Sequence, residues 1–194
     1  TFQGVISRIK SGYFSDLGVN TLALMPTSES WSSFGLGYDP CSFMSVEQDF
    51  GTPDDFRKLV NVAHKHGLAV IIDQVFNHTS NQFNPLWELI DDNSGSGGFY
   101  FSGSTQWGNR LATGKDEVDN MLIDSCKLFI EEYHVDGFRF DATHSYYLDH
   151  KLLYELHQEI KQGIKEDAIM IAENLPNQRD LNFSGVDGYA QWCD

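Results

Sequence analysis

The sequence predicts an α/β fold, namely part of a (β/α)8 barrel in which parallel strands alternate with helices. Short apolar runs alternate with amphipathic stretches along the chain. The runs are apolar at nearly every position, which is typical of parallel strands buried on both faces. Acidic residues stand where the runs end, as at the carboxyl-end rim of a barrel. A doubly wound sheet is the alternative, but no glycine-rich phosphate loop follows any run.

The first half of the chain contains two helix–strand pairs. Apolar residues recur at helical spacing over residues 2–17, and the run 20–25 is typical of a strand. A second helix is predicted over residues 52–67, because it begins with Thr-Pro, carries one apolar face and ends at a glycine. Residues 68–72 then predict a buried strand that ends at Asp73.

The second half repeats the alternation after an insertion. Residues 79–117 are polar and rich in glycine and serine, which predicts a short insertion loop after the third barrel strand. A long helix is predicted from Glu117 to about Tyr133, followed by a strand that ends at Asp141. A helix over residues 151–164 precedes a strand that ends at Glu173.

The predicted strands account for only part of a (β/α)8 barrel. Four strand signals are strong and a fifth is possible over residues 186–192, whereas a complete barrel has eight strands. We therefore expect one domain, residues 1–194, that holds roughly the second to the fifth or sixth strand of a catalytic barrel.

Composition excludes several classes of ligand. The chain has 13 basic and 28 acidic residues, a net charge of −15, which opposes binding to nucleic acid or to an anionic membrane and is neutral toward a sugar. No apolar run approaches the roughly 18 residues of a membrane span, and the first residues do not read as a signal peptide. Cys41, Cys126 and Cys193 lack CxxC spacing, so we expect three small buried thiols, a cytoplasmic protein and neither metal nor cofactor.

Two acids at strand ends form a candidate catalytic pair. Arg139 and Asp141 stand two residues apart on a strand and therefore point to one face, where the guanidinium would orient the carboxylate. Glu173 follows an apolar run, and apolar neighbours suit a carboxyl group that must hold a proton. Paired carboxylates with these two roles are typical of retaining glycosidases. The alternative is that both acids are surface residues or helix caps.

Several motifs, in order, resemble the α-amylase family, glycoside hydrolase family 13, over essentially the whole chain. They are GYDP at residues 37–40, DQVFNH at 73–78, GFRFDATH at 137–144 and IAEN at 171–174. Within the family three segments most resemble glycogen branching enzymes and malto-oligosyltrehalose trehalohydrolases, and both types remain open: FGTPDDF at residues 50–56, EEYHVDGFRFDATH at 131–144 and VDGYAQWCD at 186–194.

The resemblance implies a role for each matching residue. Asp141 is expected to be the nucleophile, Glu173 the general acid/base, and Arg139 the residue that orients the nucleophile. Substrate contacts are expected from Tyr38, Asp73, His78, Arg139 and His144. Tyr38 would stack on a sugar ring, since pyranose C–H groups are apolar, and His78 would donate to the sugar. Thr143 departs from the lysine that many α-amylases carry before the histidine, which leaves plain starch hydrolysis in doubt.

The implied reaction is double displacement on an α-glucan or malto-oligosaccharide, resolved by water or by another hydroxyl, with the two carboxyl groups about 5 to 6 Å apart. The family's third acid has no counterpart before Asp194, so we expect the segment alone to be inactive. Two other hypotheses remain: a non-catalytic or truncated relative that binds α-glucan, and a metal-dependent hydrolase. The second would need clustered histidines and aspartates, and only Asp73 and His78 come close.

Overall fold

The computed structural model describes residues 1–32, 35–89, 96–182 and 188–192. The strands are β1 (Thr21–Leu24), β2 (Ala69–Gln74), β3 (His78–Thr79), β4 (Phe101–Ser104), β5 (Asn109–Leu111), β6 (Gly137–Phe140), β7 (Ile169–Ala172) and β8 (Ala190–Gln191). The helices are α1 (Phe2–Lys10), α2 (Tyr13–Asp16), α3 (Pro53–Lys65), α4 (Pro85–Leu89), α5 (Asp116–Tyr133) and α6 (His150–His157).

A parallel sheet organises the described residues. Its strands lie in the order β1-β2-β6-β7-β8, with parallel pairing throughout. The predicted α/β class is confirmed, and β8 falls within the possible strand at residues 186–192, of which 186 and 187 lie outside the described residues. Because the strands are parallel, their carboxyl ends share one edge, and that edge carries Asp73, Asp141 and Glu173.

The first predicted helix is wrong in detail. Residues 2–17 form two helices, α1 and α2, separated by Ser11 and Gly12. Gly12 has a φ of 81°, in the left-handed region that glycine adopts without steric cost, and the chain turns there. Phe2, Ile6 and Ile9 of α1 are buried, whereas α2 buries none of its residues.

Helix α3 confirms the prediction over residues 52–67. Thr52 caps its first turn: the Thr52 hydroxyl accepts from the Asp55 N–H at 3.2 Å, and the Asp55 carboxylate accepts from the Thr52 N–H at 3.1 Å. Its apolar face is buried in the core of the molecule, through Phe56, Leu59, Val60 and Ala63.

The segment 79–117 contains more structure than its composition predicts. Helix α4 and an antiparallel sheet of order β3-β5-β4 lie within it or at its start. Strand β3 pairs with β5 through His78 and Arg110, so the segment folds back beside the end of β2. Whether it forms a separate insertion unit stays a prediction.

The last predicted helix ends early as an α-helix. Helix α6 ends at His157, and one wider π-helical turn, Gln158–Gln162, continues it, with Ile160 in that turn fully buried. The extra backbone width of a π turn shifts the hydrogen-bond register, and the sequence carries no signal for it.

Strands β6 and β7 approach each other closely. A Cβ atom on Gly137 would lie 1.9 Å from the carbonyl oxygen of Ile169, so only glycine fits at the start of β6. The register that follows places Asp73 opposite Arg139, and Arg139 opposite Ile171, on three neighbouring strands. This alignment positions the site described below.

The prediction of three buried cysteines holds for one of them. Cys126 is fully buried, which raises the pKa of its thiol. Cys41 is only partly buried, and burial with nearby Glu29 raises its pKa to about 11. Cys193 lies outside the described residues. In the part of the chain that the structure describes, no helix combines the length and apolarity needed to cross a membrane.

Candidate active site

One guanidinium, that of Arg139, lies at the centre of the site. Arg139 Nη1 donates to both carboxylate oxygens of Asp73, at 2.7 and 2.6 Å, and to Asp141 Oδ1 at 2.7 Å. Arg139 Nη2 lies 2.7 Å from Glu173 Oε2. Three carboxylates from three neighbouring strand ends therefore share one cation; Asp73, Arg139, Asp141 and Glu173 are called the buried ion cluster below.

Asp73 forms the deepest part of this cluster. Burial raises the pKa of its carboxyl to about 6, although hydrogen bonds from Arg139 and from the Tyr38 hydroxyl, which donates at 2.7 Å, oppose the rise. Burial also disfavours the charge on Arg139, but its bonds to Asp73 and Asp141 outweigh that effect and hold its pKa above the ordinary value. The guanidinium is therefore a permanent cation.

Asp141 follows β6 and is held from two sides. Besides the Arg139 contact, its Oδ2 accepts from Asn77 Nδ2 at 3.2 Å, and its backbone N–H donates to the carbonyl of Gln74 at 2.9 Å. The 2.7 Å contact places Arg139 and Asp141 side by side, as their spacing on a strand predicts. The Asp141 side chain is 15% exposed, so one edge of the carboxylate reaches the cavity.

Glu173 has different surroundings from those expected. Its carboxylate is not enclosed by apolar side chains; it is 25% exposed, and Oε2 accepts from the Ala142 N–H at 2.9 Å as well as contacting Arg139. Ala142 has a φ of 41°, an unusual conformation for a residue other than glycine, and that turn aims its N–H at Glu173. The apolar run of β7 delivers Glu173 to the rim but does not surround its carboxylate.

Thr143 ties two loops together through Glu173. Its side chain is fully buried, its hydroxyl donates to the Glu173 carbonyl at 3.1 Å, and its backbone N–H donates to the same carbonyl at 3.0 Å. Thr143 stands where a lysine is expected in many α-amylases. In this chain it joins the loop after β6 to the loop after β7.

His78 and His144 both line the same cavity, but they are held by different hydrogen bonds. His78 is buried, which lowers the pKa of its imidazole, and its Nε2 lies 2.9 Å from the carbonyl oxygen of Tyr38. Its Nδ1 contacts the side-chain oxygen of Asn77. His144 Nε2 accepts from the Leu175 N–H at 3.2 Å, so the single N–H of the ring is on Nδ1. Nδ1 has no hydrogen-bond partner among the described residues.

A cavity of about 270 Å³ opens over the acids. Its lining consists of Tyr38, His78, Trp107, Asp141, Ala142, His144 and Glu173. Of the sequence-predicted site residues, Asp73 and Arg139 do not line this cavity: Arg139 contacts Asp141 and Glu173, and Asp73 contacts Arg139. A larger hollow of about 340 Å³ near Phe43 and Leu86 is lined almost wholly by apolar side chains, so chemistry and not size identifies the site.

Trp107 is a cavity residue that sequence reasoning missed. Its ring centroid lies 5.6 Å from that of His78 and 5.0 Å from that of Tyr147, so it forms a wall between them. It stands inside a polar segment without apolar periodicity, and its approach depends on the pairing of β3 with β5. Trp192 was also missed; its ring stacks 4.5 Å from the guanidinium carbon of Arg139.

The described residues offer no clustered set of donors to a metal ion. Within residues 1–32, 35–89, 96–182 and 188–192, no group of three or more His, Cys, Asp or Glu side chains is arranged to hold one. The three carboxylates at the rim are instead paired with the single guanidinium of Arg139.

Comparison with known proteins assigns the family. The profile described as "Alpha amylase, catalytic domain" matches residues 1–109. The malto-oligosyltrehalose trehalohydrolase of Saccharolobus solfataricus is 38% identical over 100% of this chain and 34% of its own length. The 1,4-alpha-glucan-branching enzyme of Yarrowia lipolytica is 34% identical over 69% of this chain and 20% of its own length. This chain thus spans about a third or less of these relatives.

Solved structures agree with this assignment. The α-amylase of Geobacillus thermoleovorans, crystallised with acarbose, is 26% identical with a TM-score of 0.80 over 97% of this chain and 44% of its own. The Anoxybacillus α-amylase is 27% identical with a TM-score of 0.79, over 97% of this chain and 43% of its own. Sequence, fold and the cluster of acids around Arg139 lead to one conclusion: the chain belongs to the α-amylase family, glycoside hydrolase family 13.

Proposed function

We propose that this chain is the catalytic segment of a retaining enzyme that cleaves α-1,4-glucosidic bonds by double displacement. The observation that carries the proposal is the bridging of Asp141 and Glu173 by the two Nη atoms of Arg139, each contact being 2.7 Å. Two carboxyl groups that share one guanidinium lie close together, which favours the spacing of about 5 to 6 Å in retaining enzymes over the wider spacing of inverting ones.

In the first step Asp141 acts as the nucleophile. A carboxylate oxygen of Asp141 bonds to the anomeric carbon while the bond from that carbon to the leaving oxygen breaks, and Glu173 gives its proton to that oxygen. The contacts of Asp141 suit the role of nucleophile. Arg139 and Asn77 hold Asp141 in one orientation, and both described contacts of Glu173 fall on Oε2, which leaves Oε1 for the proton.

In the second step Glu173 acts as a base. It takes a proton from water or from a sugar hydroxyl, the oxygen of that acceptor bonds to the anomeric carbon, and the bond to Asp141 breaks. Water completes hydrolysis and a hydroxyl completes transfer. The names of the two relatives, a trehalohydrolase and a branching enzyme, cover both outcomes, and either type is consistent with this site.

Four cavity residues are assigned to the substrate. Tyr38 presents a ring to the sugar, while its hydroxyl is held by Asp73. His78 would donate from Nε2 by exchanging its bond to the Tyr38 carbonyl for a sugar hydroxyl, and His144 would contact the sugar as part of the cavity wall. Trp107 adds an aromatic wall. The substrate is an α-glucan or malto-oligosaccharide, and the protein is cytoplasmic.

The sheet corresponds to part of a larger barrel. We assign β1, β2, β6 and β7 to the second to fifth strands of a (β/α)8 barrel, with β8 as the sixth and residues 79–117 as a short insertion after the third. The candidate acids stand at the carboxyl ends of these strands, where the active sites of such barrels lie.

The anomeric form of the first product tests the proposal. The native protein is mixed with a malto-oligosaccharide, and proton NMR spectra are recorded before mutarotation equalises the anomers. We expect the α-anomer to form first. First formation of the β-anomer would exclude double displacement, and absence of any cleavage or transfer would favour the alternative, a glucan-binding relative without activity.

A further inference from the structure

An exposed pair of aromatic rings stands beside the catalytic rim. Trp31 is 50% exposed and Phe83 is 47% exposed, and their ring centroids lie 5.6 Å apart with an interplanar angle of 33°. The two residues come from different loops, one before Tyr38 and one after His78. They do not line the catalytic cavity. The pair Trp31 and Phe83 is called the aromatic platform below.

Backbone hydrogen bonds join the two loops of the aromatic platform to the segment that directly follows Tyr38. The Trp31 N–H donates to the carbonyl of Asp39 at 3.1 Å, and the Ser80 N–H donates to the carbonyl of Pro40 at 2.9 Å. Asp39 directly follows Tyr38, and Ser80 lies two residues after His78. The platform therefore continues the edge of the site that Tyr38 and His78 form.

The platform is held in place before any ligand arrives. Asn84, the neighbour of Phe83, is buried; its side-chain oxygen accepts from the Trp87 N–H at 3.2 Å and its amide contacts Thr79. Half-exposed rings fixed by backbone ties lose little freedom when they bind. Two exposed rings in contact beside a functional cleft form a candidate binding surface.

The neighbours of the platform fit a neutral, hydroxylated ligand. Asn81 and Gln82 precede Phe83 and are both exposed, whereas the hydroxyl of Ser32, which follows Trp31, donates to the Asp39 carboxylate at 3.2 Å. The amide side chains of Asn81 and Gln82 offer hydrogen-bond donors and acceptors without charge. A sugar presents apolar C–H groups to an aromatic face and hydroxyl groups at its edge, so this combination of groups matches a glucosyl unit.

The cavity that the described residues line is small compared with an oligosaccharide. Its volume of about 270 Å³ lies below the roughly 300–1,000 Å³ of pockets that enclose drug-sized ligands, so an oligosaccharide bound over the acids extends past these lining residues. We infer that the aromatic platform is a distal subsite for an α-1,4-linked oligosaccharide whose reacting bond lies over Asp141 and Glu173. The inference rests on the proposed function and adds to it a preference for long chains.

The test compares ligand lengths. In the native protein carrying Asp141→Asn, so that ligands are not turned over, calorimetric titration gives Kd for maltotriose and for maltoheptaose. The parent is expected to bind maltoheptaose more tightly, and Trp31→Ala or Phe83→Ala is expected to reduce the ratio of the two Kd values by about three- to tenfold, the size of one aromatic contact. Trp31→Tyr, which keeps an aromatic face, should restore most of the ratio.

Tyr13→Ala is the matched control. Tyr13 is 45% exposed and contacts Phe14, as Trp31 contacts Phe83, but it lies in α2, before the amino end of β1 and thus away from the carboxyl-end rim. It should leave the ratio unchanged. An unchanged ratio in both platform variants overturns the inference while leaving the proposed function intact. If the parent binds neither maltotriose nor maltoheptaose, the inference and the proposed function are both overturned.

A second measurement does not depend on the alanine variants. The tryptophan fluorescence change on adding maltoheptaose is compared with that on adding maltotriose, in the parent and in Trp31→Tyr. The additional change caused by the longer sugar should be present in the parent and lost in the variant. Its persistence in the variant would overturn the inference.

Discussion

The buried ion cluster and the aromatic side chains above it differ in how they are held. Asp73 and Arg139 are each only 7% exposed, and their contacts come from strand ends in fixed register. Trp107, Trp31 and Phe83 are 43 to 50% exposed and stand on loops. The charges that we propose to act on the reacting bond are thus preorganised by the sheet, whereas the rings that we propose to bind the sugar chain stand on loops, which tolerate change.

This contrast predicts that changes in the cluster lower turnover, whereas changes in the rings alter binding. The largest effect is expected for Asp141→Asn, which removes the nucleophile. Turnover of malto-oligosaccharide should fall by about 10⁴-fold or more, as for the loss of a nucleophile in other covalent mechanisms. The measurement is kcat in the native protein, with the circular dichroism spectrum as a check of folding. Unchanged turnover would refute the nucleophile role.

The second-largest loss of turnover is expected for Arg139→Lys. A lysine keeps the positive charge but replaces the planar fork with a single point of contact, so Asp73, Asp141 and Glu173 cannot all be held. We expect kcat to fall by about 10²- to 10³-fold. Arg57→Lys is the matched control, because Arg57 is 43% exposed and pairs with Asp54 and Glu132 away from the site. Equal losses in both variants would contradict the account.

The cluster also predicts a pH dependence through Asp73. Its pKa is raised by burial from 3.8 to about 6, so below about pH 6 it becomes protonated and loses the negative charge that holds Arg139 from the β2 side. Activity, measured as kcat/KM, should decline as the pH falls through that value, and Asp73→Asn should remove this decline from the profile. An unchanged acid limb in Asp73→Asn would assign the titration to another group.

The raised pKa of Asp73 also affects the stability of the fold, but in the opposite direction to its effect on activity. Between pH 3.8 and about 6 the folded chain holds a proton on Asp73 that the unfolded chain has released. Stability rises with pH only where the unfolded state holds more protons, so Asp73 makes the free energy of unfolding fall as the pH rises through this window. Urea denaturation at several pH values, compared between the native protein and Asp73→Asn, isolates this contribution.

The smallest effect is expected for Trp107→Ala. Loss of one aromatic wall should raise KM by about three- to tenfold, the contribution of one aromatic contact, with a smaller change in kcat. Steady-state kinetics on malto-oligosaccharide checks this, with Tyr13→Ala as the exposed control. A fall in kcat at unchanged KM would instead place Trp107 among the groups that act on the reacting bond.

The same contrast explains what could be predicted from the sequence. Asp141, Arg139 and Glu173 were predictable because a strand has a period of two and an apolar run ends where its rim begins. The site of Asp73 beneath Arg139 follows from register between β2 and β6, which no local pattern reveals. The break of the first helix at Gly12 carried a local signal, a glycine, that outweighed the helical spacing on either side.

The aromatic side chains were not predictable for a physical reason. Trp31 and Phe83 meet across 52 residues of sequence, and Trp107 reaches His78 only because β5 pairs with β3. Contacts of that kind depend on long-range pairing and leave no periodic pattern in the chain. The apolar setting expected for Glu173 was wrong for a related reason, since the turn at Ala142 brings a backbone N–H to its carboxylate.

Trapping of the glycosyl-enzyme tests the central claim most directly. The native protein is incubated with a slowly reacting fluorinated α-glucosyl fluoride, digested, and analysed by mass spectrometry. We predict one added sugar residue on the peptide that contains Asp141, and none in Asp141→Asn. A sugar attached at Glu173, or turnover of the reagent without any covalent intermediate, would contradict the assignment of the two acids.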